Sequence, residues 1–535
     1  VASALRRRGD AVESRVSMDE SNLLSWVLLS AHLFVCVMLA IYGAHRYQLV
    51  YLYYKYRRNT PRLDSCFREL PRVTIQLPMF NEREVVERII RTTCRIEYPR
   101  DRLQIQVLDD STDAETVELT RRVCDELRAA GQPIEFIHRD HRRGFKAGAL
   151  EEGMKSATGE FLLIFDADFI PPPDILHRTI HYFTDPKVGM VQARWEHLNR
   201  DKSLLTRTQA ILLDGHFVIE HAARNRSGRF MSFNGTAGMW RRACIDDAGG
   251  WHHDTLTEDL DLSYRAQMKG WKFVFLPDVT SPAELPPEMN AFKSQQHRWA
   301  KGGAQTCRKL LPAILRSRLP FHTKLEAFFH LTSCTVYIYI VLLMLMFLPA
   351  LYTKLTLLAD NYWGRVLFDT SLFLIATCSA STFYVASQRE VFRTWGDSLK
   401  YLPFLMAVGV GISLNNARAT IEGLAGHQSE FVRTPKFGEA AMPTADRRRR
   451  KTAEQKRRSA LLQGIIEIAF GFYLLICTGL LIFYTGRLTF GLPFLCLFMV
   501  GFFYVGGLTI YGQLQAAPRR HPVRAAAVPR RGPRP

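Results

Sequence analysis

Five apolar runs punctuate the chain: Ser21–Ala44, Ala327–Leu351, Val366–Ser387, Ser459–Thr485 and Leu488–Gly512. Each is long enough to cross a hydrocarbon core of roughly 30 Å as a helix. Ser21–Ala44 carries no formal charge, and no small-residue cleavage pattern precedes Tyr51-Leu-Tyr-Tyr-Lys55, so it reads as a retained span rather than a signal peptide. Ser459–Thr485 contains Glu467, which is costly in lipid and is expected to face the protein interior or a polar path. A sixth stretch, Tyr401–Ala417, is short, carries Pro403 and Gly409–Gly411, and is followed by Arg418. Were it to cross, the cluster Arg447–Lys451 would lie outside, against the positive-inside bias. It is read as an interfacial or re-entrant helix, which leaves five spans. The amino terminus is then outside, with Arg46–Leu325, Gln388–Arg458 and the basic tail in the cytoplasm.

Between the first two runs the pattern changes to alternating buried strands and helices. Val73–Leu77 reads as a strand ending in Pro78-Met-Phe-Asn-Glu82, with a helical pattern to about Ile96. Gln104–Leu108, Ile134–Ile137 and Phe161–Phe165 are further strands, separated by helices to about Leu127 and over Phe145–Lys155; Asp113 is placed to cap the first of these. This alternation predicts an α/β, mostly parallel, doubly wound sheet, in which ligands bind beyond the carboxyl ends of the strands. Met289–Leu311 reads as an amphipathic helix just ahead of the membrane.

The expected organisation is a leader over 1–20, a span over 21–45, a cytoplasmic catalytic domain over 46–288 and interfacial helices over 289–325. Two spans follow over 326–388, an interfacial helix and loop over 389–458, two spans over 459–513 and a basic tail from 514. The formal net charge of +19 invites a nucleic-acid reading, but much of the excess lies in Arg447–Arg458 and the tail, where anionic lipid accounts for it better. The ten cysteines form no Cys-x-x-Cys pair, and Cys36, Cys477 and Cys496 lie inside apolar runs, so neither zinc module nor disulfide framework is expected.

Five polar clusters interrupt the soluble pattern. Asp109-Asp110 and Asp166-Ala-Asp168 follow strands. The second pair suits a hard divalent ion opposite a diphosphate, though a lone Asp-x-Asp is more often a polar turn. The first suits a nucleoside's N–H and hydroxyl groups, or simple capping. Arg143–Gly148 places Lys146 near a helix start, where it could meet phosphate oxygens. Thr257-Glu258-Asp259 opens a helix: Thr257 could be only a cap, while Asp259 could deprotonate an attacking hydroxyl. In Gln295-Gln-His-Arg298-Trp299, Trp299 could stack on a sugar and Arg298 could meet diphosphate charge, or both could simply mark a membrane-surface helix.

In this order the clusters resemble the processive membrane glycosyltransferases of family two, which include cellulose, chitin and hyaluronan synthases. The likeness covers roughly Val73–Leu311. It implies a GT-A-like domain joined to a helical membrane bundle and to interfacial helices. Asp109, Asp110 and Lys146 would serve the nucleotide and diphosphate, and Asp166 with Asp168 would hold Mg²⁺ or Mn²⁺. Asp259 would be the base, with Thr257 and Glu258 beside it. Gln295 and Trp299 would flank the acceptor, and Arg298 the donor. Phe431-Val-Arg-Thr434-Pro-Lys436 is similar to the family's gating loop, so Thr434 and Lys436 would close over nucleotide. The acceptor-side motif departs from that of bacterial cellulose synthases: Phe233-Asn234-Gly235-Thr236-Ala-Gly, with Gln192-Ala-Arg-Trp195, looks most like the glucomannan mannosyltransferase and xyloglucan-backbone glucan synthase branches.

The expectation is therefore an inverting β-glycan synthase using UDP-glucose or GDP-mannose, extending a polysaccharide acceptor and delivering it through the lipid bilayer past polar groups such as Glu467. No nucleic-acid partner is expected, and a homo-oligomer is compatible with this reading. A single-addition lipid glycosyltransferase and a non-catalytic transport scaffold are the competing readings. The Arg- and Ala-rich tails point to a bacterial plasma membrane, with the Golgi membrane the eukaryotic equivalent.

Overall fold

The computed structural model describes the backbone of residues 2–357, 362–392, 394–427, 447–485 and 492–515, and the side chains of 23–353, 377–392, 394–427, 457–484 and 492–515. The expected gate residues Thr434 and Lys436, and the basic tail, lie outside the described residues.

Seven strands form one sheet: β1 (Val73–Met79), β2 (Leu103–Asp109), β3 (Ile134–His138), β4 (Phe161–Ile164), β5 (Val188–His197), β6 (Gly238–Arg241) and β7 (Lys272–Ala283). Their spatial order is β3-β2-β1-β4-β6-β5-β7. The four strands predicted from the sequence form the parallel half, with β1 between β2 and β4 and β3 outside β2. β1 is buried along its whole length, as a strand covered on both faces must be. On one side packs the helix Arg83–Thr93, through Val85, Val86, Ile89 and Ile90.

The second half departs from a purely parallel arrangement. β6 runs antiparallel to both β4 and β5, whereas β5 and β7 pair in parallel. Pairing jumps from Ala193 opposite Leu276 to Arg194 opposite Thr280, a bulge that contains Pro277. Proline cannot donate to the ladder, so the strand bends there. Arg194 Nε bonds the Pro277 carbonyl at 2.8 Å, and beyond the bend β5 carries Trp195 and His197 over the carboxyl ends of β1 and β4.

Among the described residues, four helices are long and apolar enough to cross a membrane: Leu23–Tyr56, Phe321–Leu345, Arg457–Tyr484 and Leu492–Gln515. The first runs well past the expected end at Ala44, because Leu49, Leu52 and Tyr53 dock into the core of the soluble domain. The second begins before the predicted Ala327 and is followed by a separate helix, Phe347–Leu357. Val366–Ser387 lies in one continuous helix, Tyr362–Val391. Tyr401–Ala417 falls in two helical pieces, Trp395–Gly411 and Ser413–Leu424, bent by 45° at their junction.

Glu467 does turn inward, as its charge requires, but it does not line a path through the bundle. Its Oε1 accepts from Lys293 Nζ at 2.5 Å, and Thr509 completes the buried group. A fully desolvated carboxylate is tolerable with an ammonium this close. The contact joins the helix Met289–Arg316, which carries the Gln-x-x-Arg-Trp sequence, to the last two membrane helices.

Candidate active site

The strand ends bring most of the predicted residues to one cavity of about 150 Å³. Asp110, Lys146, Asp166, Asp168, Asn234, Gly235, Thr257, Glu258, Asp259, Gln295, Arg298 and Trp299 all line it. Six separate chain segments converge here, which no single motif could establish.

β4 ends at Ile164 and the chain turns through Asp166-Ala167-Asp168, with the Asp166 amide bonded to Thr236 Oγ1 at 2.9 Å. Opposite, Gly144 and Phe145 adopt φ of 74° and 50°, a left-handed turn that starts the helix Phe145–Ser156 and aims Lys146 inward. Lys146 Nζ reaches Asp166 Oδ1 at 2.6 Å and the Gly235 carbonyl at 2.8 Å. Burial works against this ammonium, but Asp166 and Glu258 outweigh it and keep it charged. Asp168 is 8% exposed. Two hard carboxylates at one strand end, opening on the same cavity, suit a divalent ion that takes only part of its oxygen shell from protein.

Asp259 and Glu258 form the first turn of the helix Glu258–Met268. Asp259 Oδ1 accepts the Leu260 amide at 2.8 Å. Burial first, and the neighbouring Glu258 second, raise its pKa from 3.8 to about 7, against the pull of Lys146. Glu258 is likewise raised by burial. A carboxyl near neutrality can take a proton from a sugar hydroxyl and later release it. Thr257 stands at the cap position but makes no capping bond; its hydroxyl meets Thr306 Oγ1 at 3.2 Å on the Met289–Arg316 helix. That contact, rather than a cap, ties Asp259 to the helix of Arg298 and Trp299.

Asp109 and Phe233 do not line this cavity. Asp109 is fully buried beneath it, accepting from His138 Nδ1 at 2.8 Å and from the Ser111 amide. Asp110 does line it, but both its oxygens are taken by the Arg139 guanidinium at 2.7 and 2.5 Å. Phe233 is 1% exposed and lies edge-on to Trp240, so it is chiefly a core residue beneath the loop that presents Asn234. Gly235, at φ 79°, is required: a Cβ there would lie 3.0 Å from Asp259 Oδ2.

A second cavity, of about 710 Å³, extends among the membrane helices, lined by Leu39, Tyr42, Tyr337, Ile340, Met344, Phe383, Tyr384, Leu405, Leu474 and Phe498 among others. Trp195, Leu213, Asn234, Thr257, Asp259, Gln295 and Trp299 line both cavities. Sequence reasoning missed this cavity's polar wall of His216, Glu220 and Arg224; His216 and Glu220 stand four apart in a π-helix, Gly215–His221. It also gave no role to Trp195, whose indole N–H is buried without a hydrogen-bond partner among the described residues. A further group, His252, Asp254 and Asp261, has metal-like spacing, but Lys309 Nζ occupies its centre at 2.7 to 3.0 Å.

Residues 71–302 match the model of a family described as glycosyltransferase like family 2. Glucomannan 4-beta-mannosyltransferase 7 of Arabidopsis thaliana is 35% identical over 85% of this chain and 80% of its own length. Glucomannan 4-beta-mannosyltransferase 1 of Oryza sativa subsp. japonica is 39% identical over 69% of this chain and 70% of its own. A solved mannosyltransferase from Pyrobaculum calidifontis, in complex with GDP-Man and Mn2+, is 18% identical with a TM-score of 0.47, over 76% of this chain and 99% of that one. The chain belongs to glycosyltransferase family 2, in its cellulose synthase-like division. It is a hexosyltransferase of the β-glycan-forming kind. The matched relatives are plant proteins and lend no support to the expected bacterial plasma membrane.

Proposed function

We propose that the chain transfers mannose from GDP-mannose, with inversion, to the growing end of a β-1,4-linked mannan or glucomannan, and that the product enters the membrane cavity. The observation that carries this reading is the position of Asp259, on the wall common to both cavities, beside Lys146 and the Asp166–Asp168 pair. A donor in the small cavity and an acceptor entering from the large one would meet at its carboxylate. Plant relatives that are glucomannan mannosyltransferases favour GDP-mannose over UDP-glucose.

Asp259 would take the proton of the attacking hydroxyl while the bond between the anomeric carbon and the diphosphate breaks. Lys146 and Arg298 would stabilise charge on the departing GDP. Asp166 and Asp168 would hold Mg²⁺ or Mn²⁺, which supplies further charge neutralisation at the diphosphate. Trp299 and Gln295 would seat the acceptor ring on the shared wall, with Asn234 and Gly235 opposite. The elongated chain would then enter the cavity among the membrane helices, whose wall combines apolar and aromatic side chains with His216, Glu220 and Arg224.

Membrane vesicles containing the full chain test this directly, with GDP or UDP release measured across a panel of donors. Release from GDP-mannose, abolished by Asp259→Asn, is the expected result. Equal turnover by that variant would remove Asp259 from its role, and preference for UDP-glucose would overturn the donor assignment.

A further inference from the structure

His216 lies where the acceptor would pass and is tied on one side to a charged chain and on the other to the Asn234 loop. Its Nδ1 stands 3.0 Å from Glu220 Oε2, and its Nε2 stands 3.1 Å from Asn234 Nδ2. Glu220 is held ionised: burial opposes its charge, but Arg224 and His216 outweigh burial and keep it below the usual carboxylate range. A carboxylate only accepts, so Nδ1 supplies the proton of the Glu220 contact, and an amide nitrogen only donates, so Nε2 is the acceptor in the Asn234 contact. A carboxamide that turns its nitrogen toward His216 must turn its Oδ1 the other way, where Ser232 Oγ stands at 3.5 Å.

The support behind His216 is unusually extensive for a residue on a cavity wall. Arg224 Nε donates to Glu326 Oε1 at 2.9 Å, and Glu326 Oε2 meets His45 Nε2 at 3.0 Å on the first membrane helix. The Asn234 backbone is fixed separately, its amide bonded to Gln192 Oε1 at 3.1 Å. His216 thus governs only the side chain of Asn234, not the loop that carries it.

We propose that His216 is a positioning residue for the acceptor: by accepting from the Asn234 amide it presents the carbonyl oxygen of that side chain to a hydroxyl of the incoming sugar. This rests on the proposed role of the shared wall as the acceptor site. Accepting at Nε2, His216 selects one of the two carboxamide orientations, and a sugar hydroxyl is then met by a fixed acceptor rather than by a rotating amide.

The test uses the full chain in detergent, GDP-mannose as donor and β-1,4-linked mannotetraose as acceptor, with GDP release as readout. His216→Leu is expected to raise the acceptor KM about fivefold or more while the donor KM stays within about twofold, the loss of one ordering hydrogen bond. His216→Gln, whose carbonyl can accept from Asn234, is expected to recover most of that loss. Asn234→Asp removes the donating amide at constant size and is expected to raise the acceptor KM equally, which keeps the test alive if His216→Leu fails to accumulate. An unchanged acceptor KM, donor and acceptor KM rising together, or a Gln variant no better than Leu would overturn the inference. A parent chain that releases no GDP from this donor would instead overturn the proposed function itself.

Discussion

At the scale of single residues, the proposed chemistry depends on a carboxyl group held near neutrality. Asp259 is raised to about 7 by burial and by Glu258, so as a base it is active only when ionised. Transfer is therefore expected to fall as pH drops through about 7, and a pH–rate profile of kcat/KM checks this. Stability runs the other way. The folded carboxyl keeps its proton between 3.8 and about 7, where the unfolded chain has lost it. This contribution is present at low pH and is lost as pH rises through that window, so the group favours folding where it cannot work. Gly235 makes a second prediction: Gly235→Ala forces a left-handed alanine and a methyl group 3.0 Å from Asp259 Oδ2. A loss in kcat of about tenfold or more is expected, with GDP-mannose binding by calorimetry as the check on folding. The sequence made Asp166, Asp168, Lys146 and Asp259 legible because each stands at a strand or helix end that local pattern predicts. It could not separate Asp109 from Asp110, since only the fold shows that one points under the sheet to His138 and the other toward the cavity and Arg139.

At the scale of elements, the helix Met289–Arg316 is the part that joins chemistry to membrane. It is pinned twice: Lys293 to Glu467, and the fully buried Lys301 to Glu422 at 3.0 Å. Removing one member of a buried pair strands the other charge. Glu467→Leu is expected to destabilise the detergent-solubilised protein by about 3–5 kcal/mol, and the Lys293→Met/Glu467→Leu double variant to restore most of it, read by thermal unfolding. If the double variant were no better than the single, the pair would not be coupled. The sequence marked Glu467 as inward-facing from cost alone, but its partner lies 174 positions away and no local pattern links them. The four strands of the parallel half were legible for the opposite reason, being short segments rich in Val, Ile, Leu and Phe between helical patterns. β6 was not, because Gly238–Arg241 is only four residues long and its direction is set by the excursion of chain between β5 and β6. The π-helix Gly215–His221 has no sequence signature apart from Gly215, where a Cβ would lie 2.7 Å from the Phe383 ring.

At the scale of the whole molecule, two cavities share one wall, and that wall carries the expected base and the expected acceptor platform. The apolar runs in the sequence foretold a membrane bundle beside a catalytic domain. They did not foretell that the cavity between the membrane helices would open on Asp259, because a cavity is a property of how helices pack and not of any one of them. On the proposed reading the growing polymer takes this continuation, whereas a lipid glycosyltransferase would seat its acceptor lipid there, so product length separates the two. The most direct measurement is made on sealed vesicles with the catalytic domain outward, fed radiolabelled GDP-mannose. The account predicts a product many sugars long that resists externally added β-mannanase until detergent opens the vesicles. A product of one added sugar, or a polymer digested in full before detergent is added, would contradict it.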